Sequence, residues 1–141
     1  MLLLSDEQAL ALLKEARSAQ GKAYAPYSNY EVGAAILAES GRIYTGANIE
    51  NASYGATICA ERTAIGQMIM GGDHHILAIA VVTKDDGYPC GICLQAINEF
   101  APDSNTCKIV VPFKGGFLVR TLHELAPHLW RSDLVIKPEK K

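Results

Sequence analysis

Two runs in this chain have no polar face. Residues 32–38 read Val-Gly-Ala-Ala-Ile-Leu-Ala, and residues 76–83 read Ile-Leu-Ala-Ile-Ala-Val-Val-Thr. A strand with one face in water alternates apolar and polar side chains, whereas a strand apolar throughout has to be covered on both sides. The chain must therefore build a sheet with a layer packed on each face.

The remaining segments supply that cover. Ser5-Asp6-Glu7-Gln8 fits a capping box. Leu10, Leu12, Leu13 and Ala16 then give a helical stripe that ends near Gln20-Gly21, where glycine is expected to supply a left-handed stop. Residues 22–29, which include Pro26, read as an extended connector. The turn Glu39-Ser40-Gly41 predicts a hairpin joining 32–38 to a second strand over 42–48. A polar loop over 49–57 precedes a helix over 58–70, with Ala60, Ala64, Ile65, Met68 and Ile69 at helical spacing and Gly71-Gly72 closing it. After the strand at 76–83, Pro89 sits where helices begin. The helix it introduces, over 91–100, keeps Cys93, Ala96, Ile97 and Phe100 on one side. Residues 108–113 and 117–120 predict two more strands, followed by a short helix over 122–125 and a polar tail over 137–141. Strands and helices alternating after an opening hairpin specify a mixed five-stranded sheet in a three-layer α/β/α sandwich, one domain over 1–141. A chain of this length buries about 70 % of its unfolded surface without staples.

A net charge of −2 and a pI near 6.1 give no electrostatic footprint for nucleic acid, and no basic groove laced with aromatics appears. No apolar run approaches a membrane span. Met1-Leu2-Leu3-Leu4 is too short for a signal peptide and lacks a basic flank, which makes the cytoplasm the expected location.

The four cysteines stand at 59, 90, 93 and 107. Without an export signal, a C-x-x-C plus another cysteine reads as a metal site rather than a disulfide framework. A thioredoxin-like redox pair is the competing reading, although such a pair follows a βαβ start and this one lies past mid-chain. In isolation, Thr57-Ile58-Cys59-Ala60-Glu61-Arg62 reads more commonly as a buried thiol beside two solvated charges. If helices begin at both stretches, however, Cys59, Cys90 and Cys93 all lie in first turns, where the helix dipole favours thiolates. Cys90 and Cys93, three apart, can grip one ion. Three thiolates leave one position of a tetrahedral zinc site open, as catalysis requires. Glu61, beside that position, is placed to move a proton, and Arg62 to offset the excess negative charge. The alternative is a structural zinc with Cys107 as fourth ligand. Yet Cys107 abuts Ile109-Val110-Val111 and has no partner at C-x-x-C spacing, which suits a core thiol. None of His74, His75, His123 and His128 has a spacing that pairs with the cysteines.

Cys59-Ala60-Glu61 followed by Pro89-Cys90-Gly91-Ile92-Cys93 resembles the signature of the zinc-dependent deaminases, in the form where Cys replaces the first His. More narrowly, four blocks are similar to the small homotetrameric cytidine deaminases: Pro26-Tyr27-Ser28, Val32-Gly33-Ala34-Ala35, Gly46-Ala47-Asn48-Ile49-Glu50-Asn51-Ala52 and Cys59-Ala60-Glu61-Arg62-Thr63-Ala64. The resemblance runs over residues 5–134. It implies a cytidine deaminase-like fold and one Zn2+ per subunit on Cys59, Cys90 and Cys93. It also implies a homotetramer with active sites shared between subunits, and no nucleic-acid or membrane partner. The implied reaction is hydrolysis of free cytidine or deoxycytidine to uridine or deoxyuridine plus ammonia, in pyrimidine salvage. Zinc-activated water would attack C4, with Glu61 protonating N3 and then the departing ammonia.

By the same resemblance, Asn48 and Glu50 match a ribose-binding pair and the Ala60 backbone would hold the base carbonyl. Tyr30 stands where a Phe packs against the nucleoside. Trp130 falls where an aromatic reaches the base from a neighbouring subunit, and Tyr54 lies near that border. Without the resemblance, Asn48 and Glu50 read as a plain turn and Trp130 as a packing anchor. Departures from the pattern are Leu94 where Arg is usual, Ala47 where Cys is common, and the enlarged aromatics Tyr30 and Trp130. They keep open a modified cytosine, or an antibiotic nucleoside of the blasticidin S type, as substrate. Met68, Ile69 and Met70 add apolar material beyond what one sheet needs.

Overall fold

The computed structural model describes residues 4–131. The elements run α1 (Asp6–Gln20), β1 (Gly33–Ala38), β2 (Ile43–Ala47), α2 (Ala60–Met70), β3 (Ile76–Val82), α3 (Gly91–Phe100), β4 (Lys108–Phe113), β5 (Gly116–Thr121) and α4 (Leu122–Leu125), with a short 3-10 turn at Tyr54–Ala56. The five strands lie in the order β2-β1-β3-β4-β5. β3 and β4 are parallel and every other pairing is antiparallel, which makes the sheet mixed. A parallel pair needs a crossover, and α3 provides it.

Both apolar strands are covered on each face, and their alternate residues go to opposite sides. Ala35 and Leu37 of β1, Ala78, Ala80 and Val82 of β3 and Val110 of β4 pack under Ala9, Leu12, Leu13 and Ala16 of α1. Ala34, Ile36, Ile79, Val81, Ile109 and Val111 face the other way, against Ala64, Ile65 and Met68 of α2 and Ile97 of α3. Among the described residues, no helix is long and apolar enough to cross a membrane.

Several local expectations need correction. The Ser5 capping box forms, but Gly21 is right-handed at φ −66°; the left-handed glycine after a helix is Gly72, at φ 92°. Residues 22–29 fold back rather than run extended: Asn29 N donates to Ala25 O at 3.0 Å, and Asn29 takes φ 57°. The α2 helix starts at Ala60 rather than Ile58. Ile58 is instead bridged to Ile49, each N–H donating to the other's carbonyl at 2.9 and 3.0 Å. Met68 belongs to the core and Ile69 is half-buried, so of that apolar triplet Met70 alone stands out, at 86 % exposed. The polar tail expected over 137–141 lies outside the described residues.

Gly46 sets how closely α2 lies on β2. A Cβ there would sit 2.4 Å from Ala64 N and 2.6 Å from Ala60 O, backbone atoms that cannot swing aside. Gly46→Ala is therefore expected to destabilise the protein by about 1–3 kcal/mol, the usual range for overpacking. Gly66, exposed on the same helix with nothing within 4 Å of an added Cβ, should behave oppositely. Gly66→Ala is expected to stabilise by up to ~1 kcal/mol through helix propensity. Urea denaturation midpoints of the two variants check both signs.

Candidate active site

Two helix starts bring the site together. Cys59 is the N-cap of α2 and Cys90 the N-cap of α3, both with extended backbone (φ −70° for each). Cys93 is the third residue of α3 and is buried. Neither N-cap thiol caps a first-turn amide of its own helix, so both sulfurs face the cluster instead. The sulfurs of Cys59, Cys90 and Cys93 all lie within 4.8 Å of one another. Sulfurs about 2.3 Å from a shared tetrahedral zinc sit roughly 3.8 Å apart, so the set fits that ion with small adjustment. Cys107 stands outside the cluster, buried in the core at the start of β4. Burial pushes its thiol up to about 12, the behaviour of an inert core cysteine.

Charge in the cluster is uneven. Cys59 is drawn down to about 5 by the hydrogen bond from Cys93 and by Arg62, whose Nη2 lies 3.6 Å from Cys59 Sγ. Cys93 is pushed up by that same bond, by burial and by the charge of Glu61. The arrangement therefore favours the first thiolate at Cys59 over Cys93. Arg62 is held above the ordinary guanidinium range by the Cys59 sulfur, and its Nε is buried with no protein partner among the described residues. Glu61, 4 % exposed, is raised by desolvation, with the Cys59 charge adding to the effect.

A cavity of about 280 Å³ opens over these residues. Cys59, Ala60, Glu61 and Cys90 line it on one side; Tyr30, Val32, Asn48 and Tyr88 stand among its other walls. Ala60, first residue of α2, has a backbone N–H at a position with no intrahelical acceptor. The Asn48 side chain is oriented by two hydrogen bonds, Oδ1 accepting from Val32 N at 2.9 Å and Nδ2 donating to Tyr30 O at 2.8 Å. These leave one Nδ2 hydrogen and one Oδ1 lone pair for another partner. Glu50 does not line the cavity. Its carboxylate accepts from Tyr27 N at 2.9 Å, Ser28 N at 3.1 Å and the Ser28 hydroxyl, which together lower its pKa, the hydroxyl foremost.

Tyr54 and Trp130 are 83 % and 59 % exposed and lie outside this cavity. The Trp130 backbone is tied to α3, donating to Gln95 Oε1 at 3.2 Å and accepting from Gln95 Nε2 at 2.8 Å. Leu94 packs against the core beside α2. Thr57, Val81, Thr83 and Tyr88 also line the cavity and were not singled out by sequence reasoning. For Thr83 a signal existed, because Thr-x-Asp-x-Gly directly after a strand is a side-chain turn pattern.

Residues 6–109 match the family model described as the cytidine and deoxycytidylate deaminase zinc-binding region. A cytidine deaminase of Halalkalibacterium halodurans is 46 % identical over 124 residues, which span 86 % of this chain and 93 % of that protein. The crystal structure of a cytidine deaminase from Burkholderia pseudomallei aligns with a TM-score of 0.78 at 40 % identity, covering 86 % of this chain and 98 % of the other. That of Mycobacterium tuberculosis gives 0.76 at 35 % identity, with 86 % and 96 % covered.

The thiol electrostatics can be read directly in metal-free protein. Ultraviolet thiolate absorbance is expected to show one early titration with a midpoint of about 5, assigned to Cys59. Both Arg62→Gln and Cys93→Ala remove a group that favours this thiolate, so each should move the midpoint upward. An unmoved midpoint in both variants would contradict the assignment.

Proposed function

The chain belongs to the cytidine and deoxycytidylate deaminase family, and from that premise we propose that it hydrolyses free cytidine and deoxycytidine to uridine or deoxyuridine and ammonia. One observation carries the reading: a buried carboxyl, Glu61, lines the same cavity as Cys59 and Cys90, two of a cluster of three thiols that fits zinc. Cys59, Cys90 and Cys93 would hold the zinc, which would supply a Lewis acid able to make water reactive near neutral pH.

The remaining chemistry falls to the chain's own side chains. Ionised Glu61 takes one proton from water and delivers it to N3 of the cytosine ring. Once the oxygen has bonded to C4, Glu61 takes the remaining hydroxyl proton and passes it to the amino group, which leaves C4 as ammonia. Desolvation raises its pKa toward working pH, where a proton shuttle is most effective. The Ala60 N–H is available to the base carbonyl. Asn48 in the cavity wall holds a sugar hydroxyl, Glu50 is reached by the sugar only where it extends beyond that wall, and the Tyr30 ring forms a wall against the base. Arg62 offsets thiolate charge, a task that falls to it because Leu94 is turned into apolar packing.

Tyr54 and Trp130 act across a subunit border. They are exposed and lie outside the cavity of their own chain, as residues that complete a neighbour's site in a homotetramer would be. Tyr24, Ile49 and Ile58, tied together by strand bridges, are exposed large apolar residues as well, a surface suited to burial by another copy.

Glu61→Gln keeps the size of the side chain and removes its proton chemistry. It should lower kcat for cytidine by roughly 10²- to 10⁴-fold while the protein still carries one zinc per chain. Turnover near the wild-type rate would contradict the role of Glu61, and a wild-type enzyme inactive on every pyrimidine nucleoside would contradict the substrate. Light scattering should give the mass of four chains; a single-chain mass would contradict the shared site.

A further inference from the structure

The Tyr30 ring faces the cavity, but its hydroxyl is engaged elsewhere. It donates to Asp85 Oδ1 at 2.5 Å. The same oxygen accepts from Thr83 Oγ1 at 3.1 Å, and Thr83 Oγ1 accepts from Gly87 N at 2.8 Å. Thr83 follows β3 directly, and residues 83–89 run from the end of that strand to Cys90. Asp86, in the middle, adopts a left-handed φ of 57°, which Asp tolerates better than most residues with a Cβ and which marks a turn in the segment. The Thr83 bonds fold residues 83–87 on themselves, and the Tyr30–Asp85 bond is the side-chain hydrogen bond that joins this segment to another wall of the cavity among the described residues.

Tyr30 itself is firmly held. Its N–H donates to Ser28 Oγ at 3.0 Å and its carbonyl accepts from Asn48 Nδ2 at 2.8 Å. The Ser28 hydroxyl in turn donates to Glu50. A continuous path of hydrogen bonds therefore joins the wall of the cavity to the loop that delivers a thiol. Of the three clustered sulfurs, Cys93 is buried within α3 and Cys59 is half-buried under Arg62, whereas Cys90 is exposed. Cys90 is thus the ligand whose departure opens the cluster.

We infer that Tyr30 and Asp85 form a positioning latch: the Tyr30 hydroxyl, fastened to Asp85, holds residues 83–89 so that Cys90 stays on the metal, and thereby slows metal loss. The inference rests on the zinc reading of the cluster but concerns retention of the ion, not the deamination chemistry. Tyr30→Phe leaves the ring in the wall and removes only the latch. Asp85→Ala removes its other half together with the Thr83 bond. Asp85→Asn keeps an oxygen that accepts from both hydroxyls.

The test is the rate at which zinc passes from the loaded, full-length protein to an excess of a chromophoric chelator. Tyr30→Phe and Asp85→Ala should each release zinc roughly tenfold faster, the lower end of what loss of a ligand-orienting contact does to metal affinity. Tyr30→Phe should add nothing further in the Asp85→Ala background, because the two share one interaction. Asp85→Asn should release close to the wild-type rate. Release from Tyr30→Phe at the wild-type rate would overturn the latch, as would additive effects in the double variant. Faster release matched by a lower denaturation midpoint, with no rescue by Asp85→Asn, would also overturn it by showing general loosening. A wild-type protein that binds no zinc would overturn the metal reading and the latch with it, and a zinc count separates that result from the others.

Discussion

The site depends on two helices that both begin where a cysteine stands. A serine or aspartate at an N-cap satisfies a first-turn amide, and an N-cap that leaves it unmet typically gives up about 1 kcal/mol. Cys59 and Cys90 both occupy that position without capping, so α2 and α3 each start with a locally unfavourable choice. Local rules broken in pairs, at points that meet in space, mark a site rather than a scaffold. Sheet construction makes them meet. The parallel pairing of β3 with β4 requires α3 as the crossover, and Gly46 lets α2 lie directly on β2.

Within the cluster, charges are arranged to wait for a cation. Ionising Cys59 is favoured by Arg62 and by a hydrogen bond from Cys93, but that bond and the buried Glu61 make a second thiolate unfavourable. Glu61 is itself raised by burial and by the thiolate beside it. The proton favoured on Cys93 is therefore one that a bound metal ion would displace, and Glu61, raised by burial, is suited to exchange one. Binding of the ion releases protons and repays the uncapped helix starts through folding free energy.

Much of this was legible in the sequence because the strongest signals were redundant. Runs without a polar face forced a doubly covered sheet, and helix caps, turns and glycines placed the covering elements within a residue or two. The cysteine spacing, read with helix periodicity, gathered Cys59, Cys90 and Cys93. What escaped depended on contacts between segments distant in sequence. Ile58 has the composition of a first helical residue, yet its bridge to Ile49 delays α2 and makes Cys59 an N-cap instead of a first-turn residue. Gly21 was expected to be left-handed, but the helix ends there in a right-handed turn. The Tyr30–Asp85 bond spans 55 positions and leaves no trace in local pattern. Tyr54 and Trp130 lie outside their own cavity, so a single chain does not reveal their use.

The central claim is that Cys59, Cys90 and Cys93, without Cys107, hold one zinc and leave it a position for chemistry. X-ray absorption at the zinc edge of the purified protein reads the ligand set directly. Three sulfur scatterers at about 2.3 Å and one lighter atom, oxygen or nitrogen, are the predicted result. Four sulfurs, or fewer than three, would contradict it.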